Sequence, residues 1–303
     1  MTSNKFLKLD QEVVRALAAS KPVVALESTV IAHGLTRPQN LETAQRVEQI
    51  VREQGATPAT IAVLDGQFCV GLDQQQIELV ANRDDIRKLS TRDLAIAVAR
   101  DWNGATTVAA TMWIAQRAGI QVFATGGVGG VHRGSLPDIS ADLPELARTP
   151  MIVVCSGAKI VLDLPATREW LETYGITVVG FGCDEMPAFY SRQSALAVDV
   201  RCDSPEEVRQ LFRTQRELGV ESALLVTVPV PEEAEVPREI LNKILDESLR
   251  DAEVSKITGR ELTPFLLARM AERSEGATLR ANIALMENNA RVAGCIASEL
   301  SEA

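Results

Sequence analysis

Six short apolar runs recur along the chain, at Val23–Leu26, Thr60–Leu64, Ile120–Ala124, Met151–Cys155, Ile176–Phe181 and Ala223–Val228. Each is rich in β-branched residues and bounded by Gly, Pro or polar residues, the pattern of a buried strand. Between them the apolar positions take helical spacing. Asn40 to Glu53 puts Leu41, Ala44, Val47 and Val51 on one face. Thr91 to Ala99 and Thr107 to Ala118 follow, the second stopped by Gly119, which suits the position just past a helix C-terminus. Ser204 to Leu218 opens with Ser204-Pro205-Glu206-Glu207, where Ser suits the cap and Pro the first helical position. Strands alternating with helices predict an α/β fold with a largely parallel sheet. From about Pro237 the pattern is helical only, with one helix opening at Thr263-Pro264-Phe265-Leu266-Leu267 and another over Thr278 to Glu299. A single domain spanning residues 1–303, with a helical C-terminal cover, is the simplest account.

With 303 residues, 46% of them hydrophobic and 24% charged, the chain can bury a full core. A net charge of −10 argues against a broad basic surface, although it leaves room for a local phosphate pocket. Aromatic residues, at 4%, are too few for base-stacking platforms, so no nucleic-acid partner is expected. Cys69, Cys155, Cys183, Cys202 and Cys295 show neither CxxC nor Cys/His spacing, which argues against zinc, and their odd number fits reduced thiols in a cytoplasm. Met1 to Asp10 has no apolar signal region, and no run of about 18 apolar residues occurs, so no membrane partner is expected.

The densest candidate chemistry lies in Ala124-Thr125-Gly126-Gly127-Val128-Gly129-Gly130-Val131-His132-Arg133-Gly134. Repeated glycine lets backbone approach a ligand closely, and the run delivers His132 and Arg133. It is neither a G-x-G-x-x-G fingerprint in its usual place nor a P-loop, and no G-x-S-x-G elbow occurs. Glu27 ends the strand Val23–Leu26; burial there would raise its pKa and suit it to donate a proton, while a cap or salt bridge is the plainer alternative. Lys159 follows a strand end through the small residues Ser156-Gly157-Ala158. In partly apolar surroundings such a lysine can lose its charge and attack a carbonyl carbon, or it is an ordinary surface lysine. Asp138 and Asp142 flank Ser140, a set that suits a hard cation or the capping of a helix. Lys88, between a short strand and a helix start, and the turn Asn103-Gly104-Ala105-Thr106-Thr107-Val108 are candidate phosphate grips or simply capped turns. His33, beside Gly34, reads as structural.

Taken together, Val24-Ala25-Leu26-Glu27-Ser28-Thr29, Asn103 to Ala109, Phe123 to Gly134, Asp138-Ile139-Ser140-Ala141-Asp142-Leu143, Gly157-Ala158-Lys159 and Thr263-Pro264-Phe265-Leu266-Leu267-Ala268-Arg269 make the chain resemble the pseudouridine-5′-phosphate glycosidase family. The resemblance runs from roughly Pro22 to Ser298. It implies a three-layer α/β/α fold, a homotrimer, Mn²⁺, and reversible splitting of pseudouridine 5′-phosphate into uracil and ribose 5-phosphate. Carried over by position, Glu27 would be the proton donor, Lys159 the covalent nucleophile and Asp138 the metal ligand. Lys88, Val108 and the segment Ser140, Ala141, Asp142 would contact the substrate, and His132, Thr125 and Asn282 would line the pocket. The stretch Arg133 to Asp138 looks shorter than in some members.

The bond in question joins carbon to carbon, so the paired-carboxylate scheme of ordinary glycosidases does not apply directly. An acid and a neutral amine in one pocket would meet the need: the acid protonates the ring oxygen and the amine captures C1′. Two other readings share parts of this equipment. Another lysine-imine enzyme on a sugar phosphate, such as an aldolase, would need no acid beside a base pocket. A non-catalytic nucleotide-binding regulator would need no trappable amine.

Overall fold

The computed structural model describes residues 5–134, 138–257, 259 and 262–301; part of the stretch Arg133 to Asp138 thus lies outside the described residues. The strands are β1 (Leu7–Leu9), β2 (Val23–Leu26), β3 (Thr57–Leu64), β4 (Gln67–Val70), β5 (Arg87–Leu89), β6 (Gly104–Thr106), β7 (Val122–Ala124), β8 (Val131–His132), β9 (Ile152–Cys155), β10 (Leu162–Asp163), β11 (Thr177–Phe181), β12 (Val200–Cys202) and β13 (Leu224–Thr227). The helices are α1 (Gln11–Ala18), α2 (Gln39–Glu53), α3 (Gln74–Asn82), α4 (Leu94–Ala99), α5 (Val108–Ala118), α6 (Asp142–Leu146), α7 (Leu164–Thr173), α8 (Pro205–Glu217), α9 (Arg238–Val254), α10 (Leu262–Arg273) and α11 (Ala277–Ser301), with a π-helical turn at Val30–Gly34.

All six expected strands are present, as β2, β3, β7, β9, β11 and β13, and all lie in one sheet of order β1-β4-β3-β2-β7-β9-β13-β11-β12. From β3 to β12 every neighbouring pair on this path runs parallel. β4 and β6 run antiparallel to β3, and β5 joins β6 in parallel. The sequence reading places a short strand before Lys88, and β5 extends over Lys88 itself; β12, which it does not mark, is short and exposes Val200 and Arg201. β12 sits at the margin of the sheet, where one face stays wet and no continuous apolar run is required, while β8 and β10 form a separate two-stranded sheet.

Alternation along the central strands explains why they read as unbroken hydrophobic runs. Val23, Ala25, Phe123, Val153 and Cys155 belong to the core on one face, and Val24, Leu26, Val122, Ala124, Ile152 and Val154 to the core on the other. Both faces are covered, as parallel sheets require. The first core takes Val13 and Ala16 of α1, Ala110, Met112 and Ile114 of α5, and Leu171 of α7. The second takes Ile50 and Val51 of α2, Val208 and Phe212 of α8, and Ala290, Ala293 and Ile296 of α11. The result is the three-layer α/β/α arrangement with a helical C-terminal region.

α11 is more than a cover. Its small residues, among them Ala290, Ala293, Gly294 and Ala297, let it lie close against α2 and α8, and a Cβ on Gly294 would fall 2.7 Å from the Gln54 side chain. Ser298 Oγ closes the contact by donating to the Gln54 carbonyl at 2.8 Å. Val108 to Ala118 forms α5 as expected: Thr107 Oγ1 accepts from the Ala110 amide, and Gly119 takes the left-handed conformation at φ 86°.

Ile296→Ala, deep in the α11 layer, is expected to cost about 2–5 kcal/mol in urea unfolding. Val254→Ala, at a position 85% exposed on α9, should stay within about 0.5 kcal/mol of the parent. Equal effects of the two would show that α11 is not part of the core.

Candidate active site

β2, β7 and β9 are adjacent and parallel, so their C-terminal ends share one edge of the sheet. Open α/β sheets bind their ligands at that edge. Glu27 follows β2, Thr125 follows β7, and Ser156 to Lys159 follow β9.

Glu27 is 9% exposed, and Thr125 Oγ1 donates to its Oε1. Burial pushes its pKa up, because a desolvated carboxylate is costly. The positive charge of Lys159 is the largest opposing influence, ahead of the Thr125 hydrogen bond, while Asp142 pushes upward and Lys88 downward. Burial wins, and the carboxyl is held above its ordinary range.

Lys159 is placed by backbone. Gly157 adopts φ 78°, and a Cβ there would come 2.1 Å from the Pro187 carbonyl oxygen, so both the turn and the close approach require glycine. The Val128 amide donates to the Gly157 carbonyl at 3.1 Å, and the Lys159 amide donates to the Val128 carbonyl at 3.1 Å. The glycine loop and the lysine segment are thereby zipped together.

The loop's glycines serve the protein as well as any ligand. A Cβ on Gly129 would fall 2.2 Å from Ser140 Oγ. The Gly129 amide donates to Asp142 Oδ2 at 2.8 Å, and the Ala109 amide, in the first turn of α5, donates to Asp142 Oδ1 at 2.9 Å. Asp142, buried, thus spends both carboxylate oxygens on holding the loop to α5. Neither Asp138 nor Ser140 caps α6 as expected: the N-cap is Ala141, with no side-chain cap, while Ser140 Oγ accepts from the Asp142 amide at 3.2 Å.

These elements enclose a cavity of about 410 Å³. Glu27, Lys88, Val108, His132, Asp138, Ser140, Ala141, Asp142, Lys159 and Asn282 all line it. Thr125 does not; it stands behind Glu27, in the wall of an apolar recess of about 40 Å³. Lys88 lies within strand β5, and Val108 is the first residue of α5. The His132 amide donates to the Asp138 carbonyl at 2.8 Å. Burial pushes the His132 pKa down; Asp138 opposes this, and Lys88 and Lys159 reinforce it. Asp138 presents an exposed carboxylate to the cavity. Among the described residues no group of three or more His, Cys, Asp and Glu gathers at one point. A lone carboxylate such as Asp138 could hold only a hard cation that keeps most of its water.

The sequence reading passed over Asn289, fully buried on α11. Its Nδ2 donates to the Thr125 carbonyl at 2.9 Å, to the Gly126 carbonyl at 3.3 Å and to Ser156 Oγ at 3.1 Å. It pins the ends of β7 and β9 just behind Glu27 and Lys159. A signal was available: Asn289 lies seven residues after Asn282, on the apolar stripe with Leu285, Met286 and Ala293. Amides on such a stripe need buried partners. Phe189 also reaches the cavity, from a loop the motifs did not mark.

A family model described as "Indigoidine synthase A like protein" matches residues 12–299. The pseudouridine-5′-phosphate glycosidase of Paracoccus denitrificans is 51% identical over 299 residues, covering 97% of this chain and 98% of its own. That of Caldanaerobacter subterraneus subsp. tengcongensis is 48% identical over 301 residues, covering 99% and 98%. Among solved structures, the prealnumycin C-glycosynthase AlnA in complex with ribulose 5-phosphate superposes with a TM-score of 0.91 at 38% identity, over 99% of this chain and 98% of that one. With half its residues shared over the full length of such relatives, and the sheet edge carrying the acid, the lysine and the glycine loop, the chain belongs to the pseudouridine-5′-phosphate glycosidase family of indigoidine synthase A like proteins.

Proposed function

We propose that Glu27 and Lys159 act as a coupled acid and amine that open the ribose ring of pseudouridine 5′-phosphate and cleave its carbon–carbon bond to uracil. The chain is an enzyme of the glycosidase family above, and its relatives act on this class of substrate by name. The observation that carries the roles is the pair itself: a buried carboxyl with a raised pKa, whose strongest opposing charge is the lysine across the same cavity. Moving one proton from Lys159 to Glu27 yields a neutral acid and a free amine together, with no net charge brought into the pocket.

Uracil pushes electrons toward C1′; the C1′–O4′ bond breaks and O4′ takes the Glu27 proton. Lys159 Nζ adds to C1′. The proton that Nζ loses on adding passes through the Glu27 carboxylate to uracil C5, the C1′–C5 bond breaks, and the electrons of Nζ form the imine that links Lys159 to ribose 5-phosphate. Water then releases the sugar and restores the lysine. Lys88 and the amides at the start of α5 would hold the phosphate while the ring opens. The relative that holds ribulose 5-phosphate supports a pentose phosphate as cargo of this fold. Mn²⁺ would be held by Asp138 and would supply positive charge beside substrate oxygens. Five free cysteines favour a reducing cytoplasm, and no helix among the described residues is long and apolar enough to cross a membrane. A homotrimer, whose mass sedimentation measures, completes the reading.

Purified protein with Mn²⁺ should release uracil from pseudouridine 5′-phosphate and none from uridine 5′-phosphate, whose N1 is tied to the sugar. Borohydride with ribose 5-phosphate should add the mass of one reduced sugar phosphate to the parent and none to Lys159→Ala, which should not turn over. Near-normal turnover by Lys159→Ala would overturn the covalent route.

Because the folded state raises the Glu27 pKa, its stability contribution is complete below the ordinary carboxylate range and is lost as pH rises through the raised value. Glu27→Gln, a permanently neutral mimic, should therefore unfold at a higher temperature than the parent at about pH 8 and at the same temperature at about pH 4. Its turnover should fall at least about a hundredfold. A lower unfolding temperature at the alkaline pH would contradict the burial argument.

Asp138→Asn should weaken Mn²⁺ binding, read from the free-ion signal in electron paramagnetic resonance. An unchanged binding curve would remove Asp138 as the ligand.

A further inference from the structure

The motifs Glu27-Ser28-Thr29 and Asn103 to Val108 carry hydroxyls that the chemistry above does not use. Ser28 and Thr106, remote in sequence, are both fully buried and meet on one carbonyl. Ser28 Oγ donates to the Ile61 carbonyl at 2.6 Å, and Thr106 Oγ1 donates to the same oxygen at 2.7 Å. The Thr106 amide donates to Ser28 Oγ at 2.9 Å, so the two residues also bind each other. Thr106 Oγ1 lies 2.8 Å from Thr111 Oγ1 and, with its own hydrogen spent on Ile61, accepts there from Thr111 of α5.

The sheet explains why these hydroxyls are needed. β3 pairs with β2 as far as Thr60, opposite Leu26, and with β6 from Ala62, opposite Ala105. Ile61 falls at the changeover, where a buried backbone carbonyl still requires a donor. Ser28, just past the end of β2, and Thr106, the last residue of β6, supply two. Each stands next to the site. Ser28 follows Glu27, and Thr106 precedes the Thr107 cap and Val108, which opens α5 on the cavity wall. Ala109 then holds Asp142 and, through it, the glycine loop. The clamp on Ile61 therefore fixes the strand end that carries the acid relative to α5 and to what α5 positions.

We propose that Ser28 and Thr106 are positioning residues for catalysis: by sharing the Ile61 carbonyl they set the placement of the Glu27 carboxyl relative to the sugar phosphate held at the start of α5. Neither residue lines the cavity. The proposal rests on the reading of Glu27 as the proton donor given above. Loosening the clamp leaves the acid and the α5 amides intact but out of register with one another, so substrate still binds while the proton reaches O4′ less often. A misplacement on the order of 1 Å costs as much as about a hundredfold in rate.

The test is steady-state cleavage of pseudouridine 5′-phosphate by Ser28→Ala, Thr106→Val and Thr106→Ser, with thermal unfolding of each. Ser28→Ala and Thr106→Val should each lower kcat at least about tenfold and leave KM within about threefold. Thr106→Ser, which keeps the hydroxyl, should hold kcat within about threefold of the parent. Should Ser28→Ala fail to fold, Thr106→Val and Thr106→Ser carry the same expectation. A purely structural clamp would lower the unfolding temperature and leave kcat of the folded protein unchanged. That result, a loss confined to KM, or a Thr106→Ser as slow as Thr106→Val overturns the proposal. It falls alone if the parent releases uracil and Glu27→Gln does not. A Glu27→Gln protein that turns over like the parent overturns the reading of the acid as well.

Discussion

The two hydrogen bonds that Asp142 accepts from the Gly129 and Ala109 amides hold the site in one piece. They join three segments that are remote in sequence: the glycine loop after β7, the first turn of α5, and the start of α6. A buried carboxylate bonded to amides contributes about 1.5–3 kcal/mol per contact, and leaving it unpaired costs more. The bonds form only if Gly129 lies against Ser140, where any side chain would collide. The glycine that admits the clamp also fixes Val128, whose amide and carbonyl grip the segment carrying Lys159. One carboxylate therefore sets the loop, the loop sets the lysine, and the lysine faces Glu27.

The acid–amine pair is a second constraint, of opposite sign. Burying Glu27 destabilises its charged form, and the fold tolerates this because Lys159 and Thr125 partly compensate. Asn289 supports the arrangement from behind. It satisfies the carbonyls at the end of β7 while holding Ser156 at the end of β9, so the two strand ends cannot drift apart. α11 thus has two functions along its length. Its first half carries Asn282 to the cavity and Asn289 to the strand ends, and its second half packs between α2 and α8.

Much of this was legible from the chain. The six apolar runs, Gly119 past α5 and Ser204 before α8 each state a local rule: burial on two faces, a left-handed stop, a cap. Glu27 and Lys159 were legible as strand-end residues, and the motif resemblance named the chemistry. What stayed hidden was of a different kind. β12 carries an exposed arginine, because a strand that is half wet needs no apolar run. The glycine loop read as a surface for a ligand, yet Gly129 is spent on a contact with Ser140 that no spacing announces. His33 read as a structural histidine, and only the three-dimensional arrangement shows Nε2 buried and unpaired in a residue that lines the cavity.

The sequence alone determined the six central strands and the main helices, and that Glu27 and Lys159 stand at strand ends, because these follow from periodicity, caps and turns within a few residues. Tertiary structure decided which ends meet. The order β2-β7-β9 makes neighbours of residues about a hundred positions apart, and only that adjacency couples Glu27 to Lys159 and brings Thr125 against Glu27. Pairing energy between charges depends on separation and burial, and neither quantity is a property of a residue's place along the chain.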